Sequence, residues 1–282
     1  MRGDKAAAPY VAEAVGSDSE TVRLAAIDAL AVLGDASNVE LLAGISAAGD
    51  KTASAAMDSL GRLSGPGVAQ SLIAVAQSRA ETSVRINVIE TLTERRETEA
   101  IEVLFVLAKD DNRDIRQAAY KALGVLSDQK DLPAMVLMLL KATNNTDRSG
   151  MERALIATVA RLESPDAGPV VDGLAKASRA AKSHLLTVLS RIGGPKALDA
   201  VRGQVLSKAN QVKTAAIRAL VDWPSVVPLS DLMKIAKTDR DSTSRILTLR
   251  GYIKLLGIPA NRGAAETVKL LSESKGVNVF DF

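Results

Sequence analysis

The chain has 282 residues, 47% of them hydrophobic but only 2% aromatic, with a formal net charge of +3. It holds no Cys, which excludes structural disulfides and thiolate metal sites. It also lacks the run of about 18 apolar residues that a membrane-spanning helix needs. The net charge conceals a gradient. Residues 1–141 carry 15 basic and 20 acidic side chains, whereas residues 142–282 carry 21 basic and 13 acidic. Between 176 and 218 nine basic residues meet one acid, Asp199. Such asymmetry bears on partners, not on fold.

In chain order, a truncated helix is expected over 5–16, with Pro9 near its start. No leader is visible at Met1-Arg2-Gly3-Asp4, and the chain opens almost inside a repeat, as an excised piece would. Val22–Gly34 follows, VRLAAIDALAVLG, with Asp18 or Ser19 as its cap and Gly34-Asp35 as its stop. The pattern then returns. Residues 84–96 read VRINVIETLTERR, 115–127 read IRQAAYKALGVLS, and 212–224 read VKTAAIRALVDWP; weaker copies begin at Thr52, Met151, Ala181 and Ser244. Anchored without gaps, the copies lie 30, 32, 31, 36, 30, 31 and 32 residues apart.

Three apolar columns run through the copies. The first holds Ile27, Met57, Ile89, Tyr120, Ile156, Leu186, Ile217 and Leu249. The second runs from Leu30 to Tyr252, and the third from Leu33 through Arg95 and Trp223 to Leu255. A spacing of three lays them on one helical stripe. Ahead of each later copy stands a second apolar helix pattern: Val39–Ile45, Val68–Val75, Ile101–Leu107, Met135–Leu140, Val170–Leu174, Val201–Leu206 and Leu229–Ile235, with Val268–Leu271 closing the series. A period near 31 fits two helices of about 12 residues and two turns, and such a pair buries its apolar face only by stacking on neighbours. The expected repeats are 5–35, 36–67, 68–97, 98–130, 131–166, 167–196, 197–225, 226–261 and 262–274, forming one domain with a tail over 275–282. The tail either folds back on the last helix or leads into a further domain. Arg95 and Arg96 stand where Leu and Gly are expected, which predicts an early stop of that helix.

The V-R-x-x-A-x-x-A-L-x-x-L-G pattern resembles HEAT repeats of the short bacterial, phycobilin-lyase-related kind. The resemblance covers the whole chain and implies an all-α, right-handed α–α superhelix of eight or nine helix pairs, with second helices on the concave side. Residues 217–257, with Trp223-Pro224 and LRGYIKLLG at 249–257, are similar to the end of HEAT modules in large, often secreted, multidomain proteins of planctomycete-like bacteria. That likeness implies an exported or periplasmic accessory module with no catalytic residues.

The candidate chemistry lies in few places. One column reads Arg23, Ala53, Arg85, Arg116, Glu152, Lys182, Lys213 and Arg245. Arg23, Arg85, Arg116 and Arg245 are expected to form a structural ladder, each reaching a turn carboxylate or carbonyl of a neighbouring repeat. The rival reading is a phosphate-tracking stripe. For a partner, the candidates are Arg179, Lys182, Lys213, Arg218, Trp223, Arg250 and Tyr252. Trp223 is expected first as a core plug and second as an exposed binding aromatic beside Arg218 and Tyr252. His184, the single His, has no companion for a transition-metal site and is expected to be packed. No phosphate loop or nucleophile elbow appears, and no metal or cofactor is expected. HEAT-like DNA glycosylases use aromatic residues and an Asp on a cationic face; this chain has the charge without the aromatic set. The expected function is a non-catalytic scaffold that binds a protein along its concave surface. The alternative is nucleic-acid binding through the basic C-terminal half.

Overall fold

The computed structural model describes residues 4–260 and 262–277. Every regular element among them is a helix. Eight antiparallel pairs follow one another: α1 (Ala8–Ala14) with α2 (Glu20–Leu33), α3 (Val39–Ile45) with α4 (Lys51–Arg62), α5 (Val68–Gln77) with α6 (Thr82–Glu94), and α7 (Ile101–Leu107) with α8 (Arg113–Leu126). Then come α9 (Leu132–Lys141) with α10 (Asn145–Val159), α11 (Gly168–Lys176) with α12 (Arg179–Ile192), α13 (Gly194–Val205) with α14 (Asn210–Val221), and α15 (Leu229–Thr238) with α16 (Ser242–Leu256). A last helix, α17 (Ala264–Lys275), packs on α16. This is an α–α superhelix in two layers. The expected tail lies, beyond Val277, outside the described residues.

The described residues cluster into two compact units, one up to Ser127 and one from Asp128 onward. Within each, second helices pack on second helices, α2 on α4 and α6 on α8 in the first unit and α10 on α12, α12 on α14 and α14 on α16 in the second. The apolar columns face between the layers. Ile27, Leu30, Leu60, Leu92 and Leu123 are fully buried in the first unit, as are Leu186, Leu189, Ile217 and Leu220 in the second. Each such side chain contributes about 1.5–3 kcal/mol by leaving water.

Caps set the period. The N-caps of the second helices are Ser19, Asp50, Glu81, Asn112, Asn144, Ser178, Ala209 and Asp241. The side chains of Asp50, Asn112, Asn144, Ser178 and Asp241 accept from the first free N–H groups of their helices. Ser19 occupies the cap of α2 without a side-chain bond. The helix with Arg95 does stop early, at Glu94. Arg95 then turns back on the preceding repeat, donating to the carbonyls of Gly61 at 3.1 Å and Leu63 at 2.6 Å. It thereby satisfies the orphan acceptors at the end of α4.

The fifth repeat corrects the gapless register. Gly150, Met151, Ala154, Leu155, Thr158 and Val159 form the buried face of α10. Arg148, not Glu152, stands at the fourth residue of that helix, where Arg23, Arg85, Arg116, Lys182, Lys213 and Arg245 stand in theirs. Apolar residues spaced by three and four fit two frames one turn apart, and the sequence pattern had selected the later frame.

Two glycines in the second unit are dictated by packing. A Cβ on Gly251 would meet Val221 Cγ2 at 2.4 Å, so α16 and α14 approach as closely as they do only because the side chain is absent. Gly193, at φ 70°, ends α12 in a conformation that suits Gly alone, and its Cα lies against Pro224.

Candidate functional site

The cationic column points sideways into the stack and not into solvent. Arg23 Nη1 donates to the carbonyls of Ser17 at 2.8 Å and Asp18 at 3.0 Å. Arg116 repeats the bond three repeats later, to Asp110 and Asp111, both at 2.9 Å. Arg148 does the same to Ala142 at 2.6 Å. Arg85 and Arg245 use Nε instead, on the carbonyls of Ala76 at 2.9 Å and Ala236 at 3.1 Å. The guanidinium ties the start of a second helix to the preceding turn (Arg23, Arg116, Arg148) or to the last turn of its first helix (Arg85, Arg245).

Some members also reach forward to the next repeat. Arg85 Nη2 meets Asp110 Oδ2 at 2.7 Å, and Lys213 Nζ meets Asp239 Oδ1 at 2.8 Å. Lys182 Nζ donates to Gln204 Oε1 at 3.2 Å. Burial pushes the Asp110 carboxyl up, but the Asn112 N–H and the Arg85 and Arg116 guanidinium groups outweigh it, and the net shift is below the usual carboxylate value. Arg23, Arg85, Arg116 and Arg245 thus each bond a main-chain carbonyl of their own repeat, and Arg85 also reaches an acid of the next. Lys182 and Lys213 share the column and are committed to internal partners.

His184 is packed against the preceding second helix. Its Nδ1 pairs with Glu152, and its Nε2 lies 3.0 Å from Asn145 Oδ1. Glu152, which the gapless register assigned to the cationic column, is therefore a partner for the single His. Among the described residues no group of three or more His, Cys, Asp or Glu side chains could hold a metal ion.

The two aromatic candidates lie in the core, which corrects their place in the partner-binding set. Trp223 is 3% exposed, so it plugs the core just beyond α14. Tyr252 is 2% exposed and donates its hydroxyl to the Leu270 carbonyl at 3.3 Å, tying α16 to α17. Burial, helped by Glu273 and opposed by Arg262, raises its phenol above the ordinary value. An apolar column interrupted by a large aromatic kept its interior role because the ring had an acceptor to reach.

The outward-facing column of the second-helix layer lies five residues after the ladder. In the first unit it reads Asp28, Asp58, Glu90 and Lys121. Its charges are matched: Arg62 pairs with both Asp28 and Asp58, and Lys121 pairs with Glu90 at 3.3 Å. In the second unit the same column reads Arg153, Thr187, Arg218 and Arg250, with no acid. Arg218 and Arg250 are exposed, and their side chains make no hydrogen bond or ion pair among the described residues. Arg179, at the start of α12, is also exposed and uncommitted. The structure therefore separates the predicted set: Arg218 and Arg250 share a face, Arg179 sits at the end of one helix, and Lys182 and Lys213 are held by neighbours. In the gapless register Ala157 takes the place that Arg153 holds in the structure.

This fold and its ladder define a helical-repeat solenoid. Residues 69–156 match the family model described as HEAT repeats. Kap121p, in a mutant form, is similar over 90% of this chain and 34% of its own, at 16% identity and a TM-score of 0.54. Importin beta is similar over 92% of this chain and 40% of its own, at 11% identity and a TM-score of 0.53. The chain thus spans little more than a third of each of these larger solenoids. An engineered protein aligns over 99% of this chain and 86% of its own, at 18% identity and a TM-score of 0.42. No curated protein matches the sequence.

Proposed function

We propose that the chain is a non-catalytic scaffold whose second unit binds an acidic protein surface along its second-helix face. The observation that carries this reading is Arg218 and Arg250, whose exposed side chains make no hydrogen bond or ion pair among the described residues, in a column without an acid, whereas the same column of the first unit is acidic and internally paired. HEAT repeats form protein-interaction solenoids, which supports a binding role. Arginine suits it because a planar guanidinium meets a carboxylate with two parallel hydrogen bonds. Adjacent second helices lie about 8–10 Å apart, a spacing that presents successive arginines to successive acids of an extended partner. Kap121p, a solenoid of similar fold, has been seen bound to Pho4p, another protein.

The rival occupant is nucleic acid, whose phosphates the same column would meet. The chain offers it few aromatics for stacking, and Trp223 and Tyr252 are buried. A titration decides between the two. Fluorescein-labelled oligoglutamate and short single- and double-stranded DNA and RNA are measured at low and moderate salt, with the wild type and the Arg218→Glu/Arg250→Glu variant. The expected result is oligoglutamate binding that the variant loses at least tenfold, with weaker binding of nucleic acid. Tight, salt-steep nucleic-acid binding lost in the variant would install the rival. Binding of neither probe at low salt would overturn both.

A further inference from the structure

We infer that the cleft between α13 and α15 is a second docking site, which accepts a partner-protein segment carrying a bulky apolar anchor beside carboxylates. It lies in the first-helix layer, apart from the face proposed above. In that layer α9 packs on α11 and α11 on α13. Helices α13 and α15 are held differently, each through α14 and by the Arg202–Asp231 ion pair at 2.8 Å. Between them opens a cleft of about 530 Å³. Concave sites of a few hundred cubic ångströms are the size that seats large side chains.

The chemistry of the cleft points to its occupant. Its floor is apolar, formed by Val205, Leu220 and Ile235. On its rim stands Leu206, 88% exposed, more than any other large apolar side chain among the described residues. Leu206 follows the last residue of α13, and its own helix gives it nothing to cover. Leu206 adjoins the apolar floor, so one apolar side chain of a partner would take both from water together.

Charge selects among apolar partners. The two acids of the cleft are already neutralised, Asp231 by Arg202 and Asp239 by Lys213. Lys234 and Arg240, which line the opposite wall, are exposed, and their side chains make no hydrogen bond or ion pair among the described residues. The uncompensated charge is therefore positive and borders the apolar floor. A segment with Leu or Phe as anchor and Glu or Asp on either side is complementary to both features.

Fluorescence anisotropy with a labelled Glu-Glu-Leu-Phe-Glu-Glu-Leu peptide tests the assignment, with two control peptides: one with Ser for the apolar residues and one with Lys for Glu. The intact chain is expected to bind the first peptide and neither control. Leu206→Glu and Lys234→Glu/Arg240→Glu should each weaken binding at least tenfold, with unchanged far-UV circular dichroism as expected for exposed positions. Arg218→Glu/Arg250→Glu should leave it unaltered, so failure here is distinct from failure of the second-helix face. The inference is overturned if the peptide does not bind, if the Ser control binds equally, or if Leu206→Glu has no effect. Dimerisation of the chain that Leu206→Glu abolishes, without peptide binding, would give the cleft to a second copy and likewise overturn it.

Discussion

The units before and after Ser127 use one repeat for two ends. Both carry the ladder that ties the start of a second helix to the preceding turn or to the last turn of its first helix, through Arg23, Arg85 and Arg116 in the first unit and Arg148 and Arg245 in the second. They differ five residues further along the same helices. There the first unit matches Asp28, Asp58 and Glu90 with cations of its own, and the second leaves Arg218 and Arg250 open. A guanidinium that faces the next turn belongs to stability, whereas one that faces water is free for a partner. In a repeat, the two roles occupy separate columns and can diverge independently.

That separation can be broken or sharpened by substitution. The largest effect is expected from Trp223→Ala, which opens a cavity in the second unit and should cost about 3–5 kcal/mol. Urea unfolding followed by far-UV circular dichroism measures it. In the unaltered chain the fluorescence of the single Trp reports on the second unit alone, while circular dichroism follows both. Close behind comes Gly251→Ala, whose new methyl would lie within 2.4 Å of Val221 Cγ2 and force α16 off α14. Overpacking of this kind costs about 1–3 kcal/mol, and a neutral result in the same unfolding experiment would show that the helices have slack.

Arg85→Ala addresses the ladder in the first unit. It strips Asp110 of its partner at 2.7 Å and the Ala76 carbonyl of its donor, and should cost about 2–3 kcal/mol. Arg218→Ala in the second unit should change stability by less than about 0.5 kcal/mol while weakening oligoglutamate binding. Equal stability losses for these two substitutions would erase the distinction between columns.

The smallest effects concern caps and pH. Asp241→Ala removes acceptors for the N–H groups of Thr243 and Ser244 and should cost about 1 kcal/mol. Hydrogen bonds from Ser244 hold the Asp241 carboxyl below the usual value of 3.8, as Asn112 and Arg85 hold Asp110 in the first unit. A depressed folded-state value means stability that is present in full above the unfolded value and is lost as pH falls through the folded one. Both units should therefore weaken below about pH 4, and unfolding midpoints measured from neutral to acid pH check it. In Asp110→Asn the part of that slope due to Asp110 should vanish.

Much of the fold was legible in the sequence because a solenoid repeats its instructions. Val39–Ile45 and Ile101–Leu107 have the same bounds in the structure as in the pattern, since an apolar run, a cap and a turn recur at a nearly constant step. Leu30, Leu123 and Leu189 read as core and are core. The asymmetry of charge was legible too, as a count. Which cations are committed was not legible, because a long side chain at a helix start can point along the stack or away from it without altering the pattern.

By itself, then, the sequence determined a stack of eight or nine helix pairs, their apolar faces and the excess of positive charge in the second half. Those features follow from local periodicity and composition. Tertiary structure alone decided four others: the register that puts Arg148 and not Glu152 on the ladder, the pairing of His184 with Glu152, the burial of Trp223 and Tyr252, and the turn of Arg95 back onto α4. Each depends on a contact between residues about 20 to 35 places apart or on the choice between two frames one helical turn apart. Packing makes the choice of frame in α10, because only one frame buries the apolar stripe and brings Arg148 to the Ala142 carbonyl.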